Sequence, residues 1–204
     1  MQVRAVAFDI GGVMVRIAST WAEAARVAGV PLGVSPGPLS GLREFGQYQS
    51  GELDDTAYLA ALAGHLGTDV DSAARVHRGI LIEAMPGVEA LVAELMAAGL
   101  VCGCLSNTNA LHWAPLAEDG TFPAIASMPV RVASHRVRAS KPDQAIYRAF
   151  EEDAGATGSE VAYFDDVAEY VEGARTMGWR AWQVPSGAEP AAFMRATLAE
   201  FGVR

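Results

Sequence analysis

FDIGGVMV, residues 8–15, ends an apolar run on a carboxylate and follows it at once with two glycines. With residues 3–7 before it, the run reads as a first β-strand that delivers Asp9 into a tight turn. Two readings of the turn stand open. Gly and Asp are turn residues for steric reasons alone, so Asp9, Gly11 and Gly12 could be an ordinary strand end. Alternatively, the acid is a nucleophile beside a hole the size of a phosphate group. The rest of the chain has to decide.

At 204 residues the chain is long enough for one α/β core, alone or with a small second lobe. Its formal net charge of −9 argues against nucleic acid or an anionic membrane surface as partner, since both demand basic patches. No segment reaches the roughly 20 apolar residues that span a bilayer. The start MQVRAVAFDIGG lacks a small-residue cleavage site and reads as a strand, so a cytoplasmic protein is expected. Cys102 and Cys104 alternate about Gly103 with no further Cys or nearby His to complete a zinc site, which suggests buried thiols. By elimination the partner is a small diffusible molecule, and a monomer or homodimer is expected.

Strand-like runs end in chemically useful residues at four places: Val3 to Asp9, Gly99 to Asn107, Met128 to Ser134 and Val161 to Asp166; a fifth, Arg180 to Pro185, has no such ending. Between the later runs lie helical patterns. Val88, Leu91, Val92, Leu95 and Met96 fall at helical spacing and stop at Gly99. KPDQAIYRAFEEDAG places Pro142 in a first turn and stops at Gly155. Alternating helices and near-continuous apolar strands predict a Rossmann-like, doubly wound parallel sheet with helices on both faces. Ligands of such sheets sit beyond the carboxyl ends of the strands.

Residues 17–85 break the rhythm. They read as consecutive helices without a strand: Thr20 and Glu23 form a capping box, Asp54 or Asp55 begins a second helix, and Asp71 begins another. The expected organisation is therefore a catalytic core of residues 1–16 and 86–204 with a small inserted helical cap of residues 17–85. Both ends of the cap are tethered at the carboxyl edge of the sheet, as a lid would be. GVPLGVSPGPLSG, residues 29–41, is its Gly- and Pro-rich linker.

The four strand ends gather Asp9, then Ser106 with Asn107, then Lys141, then Asp165 and Asp166. Each type suits phosphoryl transfer. A carboxylate attacks phosphorus, a hydroxyl and an ammonium bind the transferring oxygens, and acids opposite the nucleophile hold Mg²⁺. In this order the residues resemble the haloacid dehalogenase superfamily, over roughly Arg4 to Ser186. FDIGGV is similar to its first motif, LSNTN to its second, SKPDQAIY to its third and FDDVAEYVEGARTMG to its fourth. FDIGGV with LSNTN also resembles the branch containing sugar-1-phosphate phosphatases.

That resemblance implies that Asp9 is the nucleophile and forms an aspartyl phosphate, while Ser106, Asn107 and Lys141 hold the phosphoryl group. It implies Mg²⁺ on Asp9, the Gly11 carbonyl and Asp165, with Asp166 as a ligand or as the group that orients one. Two departures stand out. Most phosphatases of the superfamily carry a second Asp, a general acid and base, where this chain has Gly11. Val167, Glu169 and Tyr170 replace a frequent Asn, Asp and Asn. Three functions follow. One is a Mg²⁺-dependent phosphatase of a small phosphorylated metabolite, with sugar 1-phosphates as candidates. The others are a metal-free 2-haloacid dehalogenase and a degenerate member that only binds.

Bland readings accompany these residues. Ser106 could be a helix N-cap, Lys141 a surface lysine, and Asp165 with Asp166 the acidic start of a helix. His112 follows the second motif closely enough to edge the site. In the cap, Gln47, Tyr48 and Gln49 could read a polyol, or belong to a half-buried helix end. His65, His77 and His135 are expected to be ordinary.

Overall fold

The computed structural model describes residues 2–33 and 35–203, so Val34 of the expected linker lies outside the described residues. Seven strands and eleven α-helices follow in chain order. They are β1 (Ala5–Phe8), β2 (Val15–Ile17), α1 (Trp21–Val27), α2 (Arg43–Gln49), α3 (Asp55–Leu66), α4 (Val70–Arg78) and β3 (Leu81–Ala84). Then come α5 (Val88–Ala97), β4 (Val101–Ser106), α6 (Ala110–Trp113), α7 (Pro123–Ser127), β5 (Val130–Ala133) and α8 (Ser134–Val137). The chain closes with α9 (Gln144–Ala154), β6 (Val161–Asp165), α10 (Ala168–Thr176), β7 (Arg180–Gln183) and α11 (Pro190–Ala199).

The main sheet is parallel, in the order β5-β4-β1-β6-β7. Strand order therefore reverses on either side of β1, and the crevice at its carboxyl end is the topological switch point of a doubly wound sheet. Alternation along the strands explains why both faces are covered. Val6 and Phe8 of β1 pack with Leu91, Val92 and Leu95 of α5 and Met194 and Leu198 of α11. Ala5 and Ala7 turn to the other face, with Ile146, Tyr147 and Phe150 of α9 and Val171 of α10. The five expected strands are present. Gly155 ends α9 in the left-handed conformation, and Gly99 follows α5 with φ +85°.

Three expectations need correction. Residues 17–85 are not free of strand, because β2 and β3 pair antiparallel where the helical segment enters and leaves the core. Asp69 caps α4 by accepting from the Ser72 amide, so the N-cap lies two residues before Asp71 and the helix starts at Val70. Pro142 lies outside α9, whose N-cap is Asp143. At α1 Thr20 accepts from the Glu23 amide, while the Glu23 carboxylate returns to Ser19.

Helices α1 to α4 bury an apolar cluster of their own, with Trp21, Tyr58, Leu62, Leu66 and Val76 at its centre. They also bond directly to the core. Gln49 donates its amide to the Asn107 carbonyl at 3.2 Å, the Ser134 hydroxyl donates to the Gln49 carbonyl at 2.6 Å, and the Leu111 amide donates to the Tyr48 hydroxyl at 3.1 Å. Among the described residues no helix is long and apolar enough to cross a membrane.

Candidate active site

Asp9 stands one residue past β1, its amide tied to the Phe164 carbonyl of β6 at 2.9 Å. Ser106 ends β4, Lys141 follows α8, and Asp165 ends β6. The parallel register delivers all four to one edge. There the Lys141 ammonium lies 2.7 Å from Asp9 Oδ1 and 2.7 Å from Asp165 Oδ2, with the lysine side chain 1% exposed. It is no surface lysine. The rings of Tyr170 and Tyr163 flank the ammonium, their centroids 4.9 Å and 5.8 Å away, a placement that favours a desolvated cation. Tyr170 therefore stands as an aromatic wall at a position where the sequence departs from the resembled motif.

Electrostatics follow from burial. Burial pushes the Asp9 carboxyl up to about 7 against the pull of Lys141. Burial alone would lower the Lys141 ammonium, but the two carboxylates outweigh it and raise its pKa, so the lysine stays charged. Asp165 is fully engaged: Oδ2 accepts from Lys141 and from the Tyr163 hydroxyl, and Oδ1 accepts from the Val167 amide. Asp166 is exposed at the rim. Its carboxylate leans over Gly12, where φ is +75°, so the second glycine is required by conformation and also leaves room for this approach.

One oxygen from each of Asp9, Asp165 and Asp166 lies within 4.8 Å of the others. Three carboxylates against one ammonium leave an excess of negative charge among hard oxygen donors, which fits a divalent cation such as Mg²⁺.

The remaining expected site residues separate. Ser106 is 4% exposed and ends its strand beside this group; its hydroxyl takes no partner among the described residues. It caps no helix, since the cap of α6 is Asn109. The Asn107 side chain clamps the backbone of Lys141, accepting from its amide at 2.8 Å and donating to its carbonyl at 3.1 Å. Its amide therefore positions the lysine, where direct phosphoryl contact was expected. Tyr48 stacks on Tyr58 at 4.2 Å and donates to Asp55 at 2.6 Å, so its phenol is engaged within the fold and away from a polyol. Gln47 lies two residues from Gln49 on the same helix, where side chains point apart, and its amide donates to Glu52 at 3.5 Å. Gln49, on the face toward the core, is the one that reaches the site.

His112 does not edge the site. It is buried and stacked on His77 at a ring distance of 4.0 Å, and His77, expected to be ordinary, is wholly buried. The His77 imidazole takes a hydrogen bond from the Tyr58 hydroxyl at 2.7 Å and donates to Asn109 Oδ1 at 3.0 Å. His112 donates to the His77 carbonyl at 2.9 Å and accepts from the Asn109 amide at 3.3 Å. Every donor finds an acceptor only while both rings are neutral. Nothing in the sequence signals this network, because the bonds that join it to His77 span 19 to 35 residues.

A pH dependence follows. Burial drops His112 to about 4, and burial together with His112 holds His77 well below the usual range. Unfolded imidazoles protonate near 6.5, so below that pH the unfolded chain binds protons that the folded one refuses. Stability is lost as pH falls from about 6.5 toward 4, by up to about 1.4 kcal/mol per unit for each ring. Melting temperature measured against pH checks this. His112→Gln and His77→Gln should flatten the curve between pH 6.5 and 4.5; an unchanged curve would contradict it.

Compared with known families, residues 3–178 match the haloacid dehalogenase-like hydrolases. Phosphatase MT3486 of Mycobacterium tuberculosis is 30% identical over 199 residues, covering 90% of this chain and 88% of its own. A predicted HAD-like family hydrolase of Porphyromonas gingivalis superposes with a TM-score of 0.79 at 19% identity, over 97% of this chain and 98% of that one. The HAD family enzyme BT-2542 of Bacteroides thetaiotaomicron, in complex with magnesium and inorganic phosphate, gives 0.74 at 17% identity, over 95% and 100%.

Proposed function

The chain belongs to the haloacid dehalogenase-like hydrolase family, and from that premise we propose that it is a Mg²⁺-dependent phosphatase of a small phosphorylated metabolite. The observation that carries the reading is the buried ammonium of Lys141 held between Asp9 and Asp165, with Asp166 adding a third carboxylate at the same edge. The BT-2542 complex and the name of the mycobacterial relative support it.

Asp9 attacks phosphorus through a carboxylate oxygen, and the ester oxygen leaves with its bonding electrons. The aspartyl phosphate is then opened by water at phosphorus, which frees inorganic phosphate and restores the carboxylate. Lys141 keeps a positive charge against Asp9 and the phosphoryl oxygens, and the Ser106 hydroxyl donates to one of them. Asn107 fixes the lysine backbone. Asp9, the Gly11 carbonyl and Asp166 would hold Mg²⁺, with Asp165 kept on the lysine by Tyr163. Bound there, the cation would offset charge on the transferring group. The helical insertion, residues 17–85, acts as the cap over this edge.

The test is phosphate release from a panel of phosphorylated metabolites, sugar 1-phosphates included, with and without a chelator. Release in Mg²⁺ that stops on chelation is expected. Halide release from a 2-haloacid that persists in chelator would instead identify a dehalogenase.

A further inference from the structure

The insertion carries a groove of about 500 Å³ lined by its own residues between Ile17 and Gln49, and two of those residues reach the core beside the reaction edge. On one side Ile17, the last residue of β2, reaches back to the turn after Asp9: a Cβ on Gly11 would sit 3.0 Å from its Cδ1. On the other, Gln49 lines the groove and donates to the Asn107 carbonyl. Between these points the wall is formed by Ala18, Leu39, Leu42 and Phe45. Its polar groups are few. Ser19 is bonded to Glu23, and Arg43 lies out in solvent beside Glu44. The place where an acidic side chain would stand two residues after the nucleophile is thus covered by a hydrocarbon.

From this juxtaposition of Gly11, Ile17 and the apolar groove, we infer that the preferred substrate is a phosphate monoester whose leaving group is acidic and largely apolar, of the aryl phosphate type. The inference rests on the phosphatase reading above. Asp9 forms the bond to phosphorus, the phosphorus–oxygen bond to the aryl group breaks, and its electron pair departs on oxygen as a phenolate that needs no proton at that moment. A poorer leaving group would require one, and no side chain at position 11 supplies it. The flat apolar group then lies along Phe45 and Ile17. A polyol would leave most of its hydroxyls without partners against these walls, at a cost for each.

The experiment measures kcat/KM in Mg²⁺ for aryl phosphates of graded leaving-group acidity, and for a hexose 1-phosphate, with wild type, Ile17→Thr and Phe45→Leu. Aryl esters should exceed the hexose ester by about 10²-fold, with a steep dependence on leaving-group acidity, as expected where general acid help worth about 10²- to 10⁴-fold is missing. Ile17 is 39% exposed, so Ile17→Thr should fold. It should lower the aryl-to-hexose ratio about tenfold, the size of a lost apolar contact, and Phe45→Leu should do the same. A flat dependence, a preference for the hexose ester, or equal loss on both substrates in both variants would overturn the inference while phosphate release continues. No phosphate from even the most acidic aryl ester would instead bring down the phosphatase reading itself.

Discussion

Asp9→Asn is expected to abolish turnover, by on the order of 10⁴-fold or more, and to leave the fold intact. An amide is a poor nucleophile, and the neighbouring Asp165 is not free to replace Asp9, because it is occupied by Lys141, Tyr163 and the Val167 amide. The stability half of the expectation follows from the raised carboxyl. An unfolded aspartate ionises near 3.9, whereas the folded Asp9 ionises at about 7. Its contribution to stability is therefore complete below about 4 and is lost as pH rises through 7. Asparagine removes that penalty, and Lys141 keeps Asp165. Phosphate release and thermal melts at pH 7.5 check both halves. Activity above a trace, once deamidation back to aspartate is excluded by mass spectrometry, would remove Asp9 as the nucleophile.

Lys141→Ala carries the second large effect, and here the structure removes the surface-lysine reading that the sequence left open. A lysine beside a proline reads as a solvated charge whose loss costs little. With the side chain 1% exposed between two carboxylates, removal strands like charges in a dry site. A loss of about 3–5 kcal/mol is expected, a large share of the roughly 5–15 kcal/mol that keeps a domain folded. kcat/KM should fall by about 10²- to 10³-fold. The two effects separate by pH and by a second substitution. The variant's deficit in melting temperature should shrink as pH falls and one carboxylate takes up a proton, and Asp165→Asn added to Lys141→Ala should restore stability without restoring turnover. A single variant that melts with the wild type would contradict the buried pairing.

The sheet was legible because parallel strands covered on both faces are continuous apolar runs, as in AVAF before Asp9 and VAYF before Asp165. Strands β2 and β3 were not. They have three and four residues, carry Arg16 and Glu83 at their centre, and exist only because they pair across the insertion. The start of α4 was missed because Asp69 and Asp71 both suit an N-cap, and only the bond to the Ser72 amide decides. In the site, residue types at strand ends announced Asp9, Ser106, Lys141, Asp165 and Asp166. The division of labour within the acidic pair was hidden, since it depends on Tyr163 turning to Asp165 and on Gly12 admitting Asp166. Gln47 and Gln49 look alike in sequence, and helical direction separates them.

The imidazole pair joining α4 to the loop after Ser106 also bears on how such a protein can be recombined. Tyr58 and His77 come from the inserted segment and Asn109 and His112 from the core; Tyr58 holds the His77 ring, and His77 bonds both core residues across the boundary. A foreign insertion carrying its own apolar centre would take the His77 ring from Asn109 Oδ1 and the His77 carbonyl from the buried His112 imidazole, in the loop that follows Ser106. These four residues form one heritable unit split between two stretches of chain. The inserted segment and the loop after Ser106 are therefore expected to evolve in step, and the seam for exchanging one insertion for another runs around Asn109 and His112, leaving them with the incoming segment.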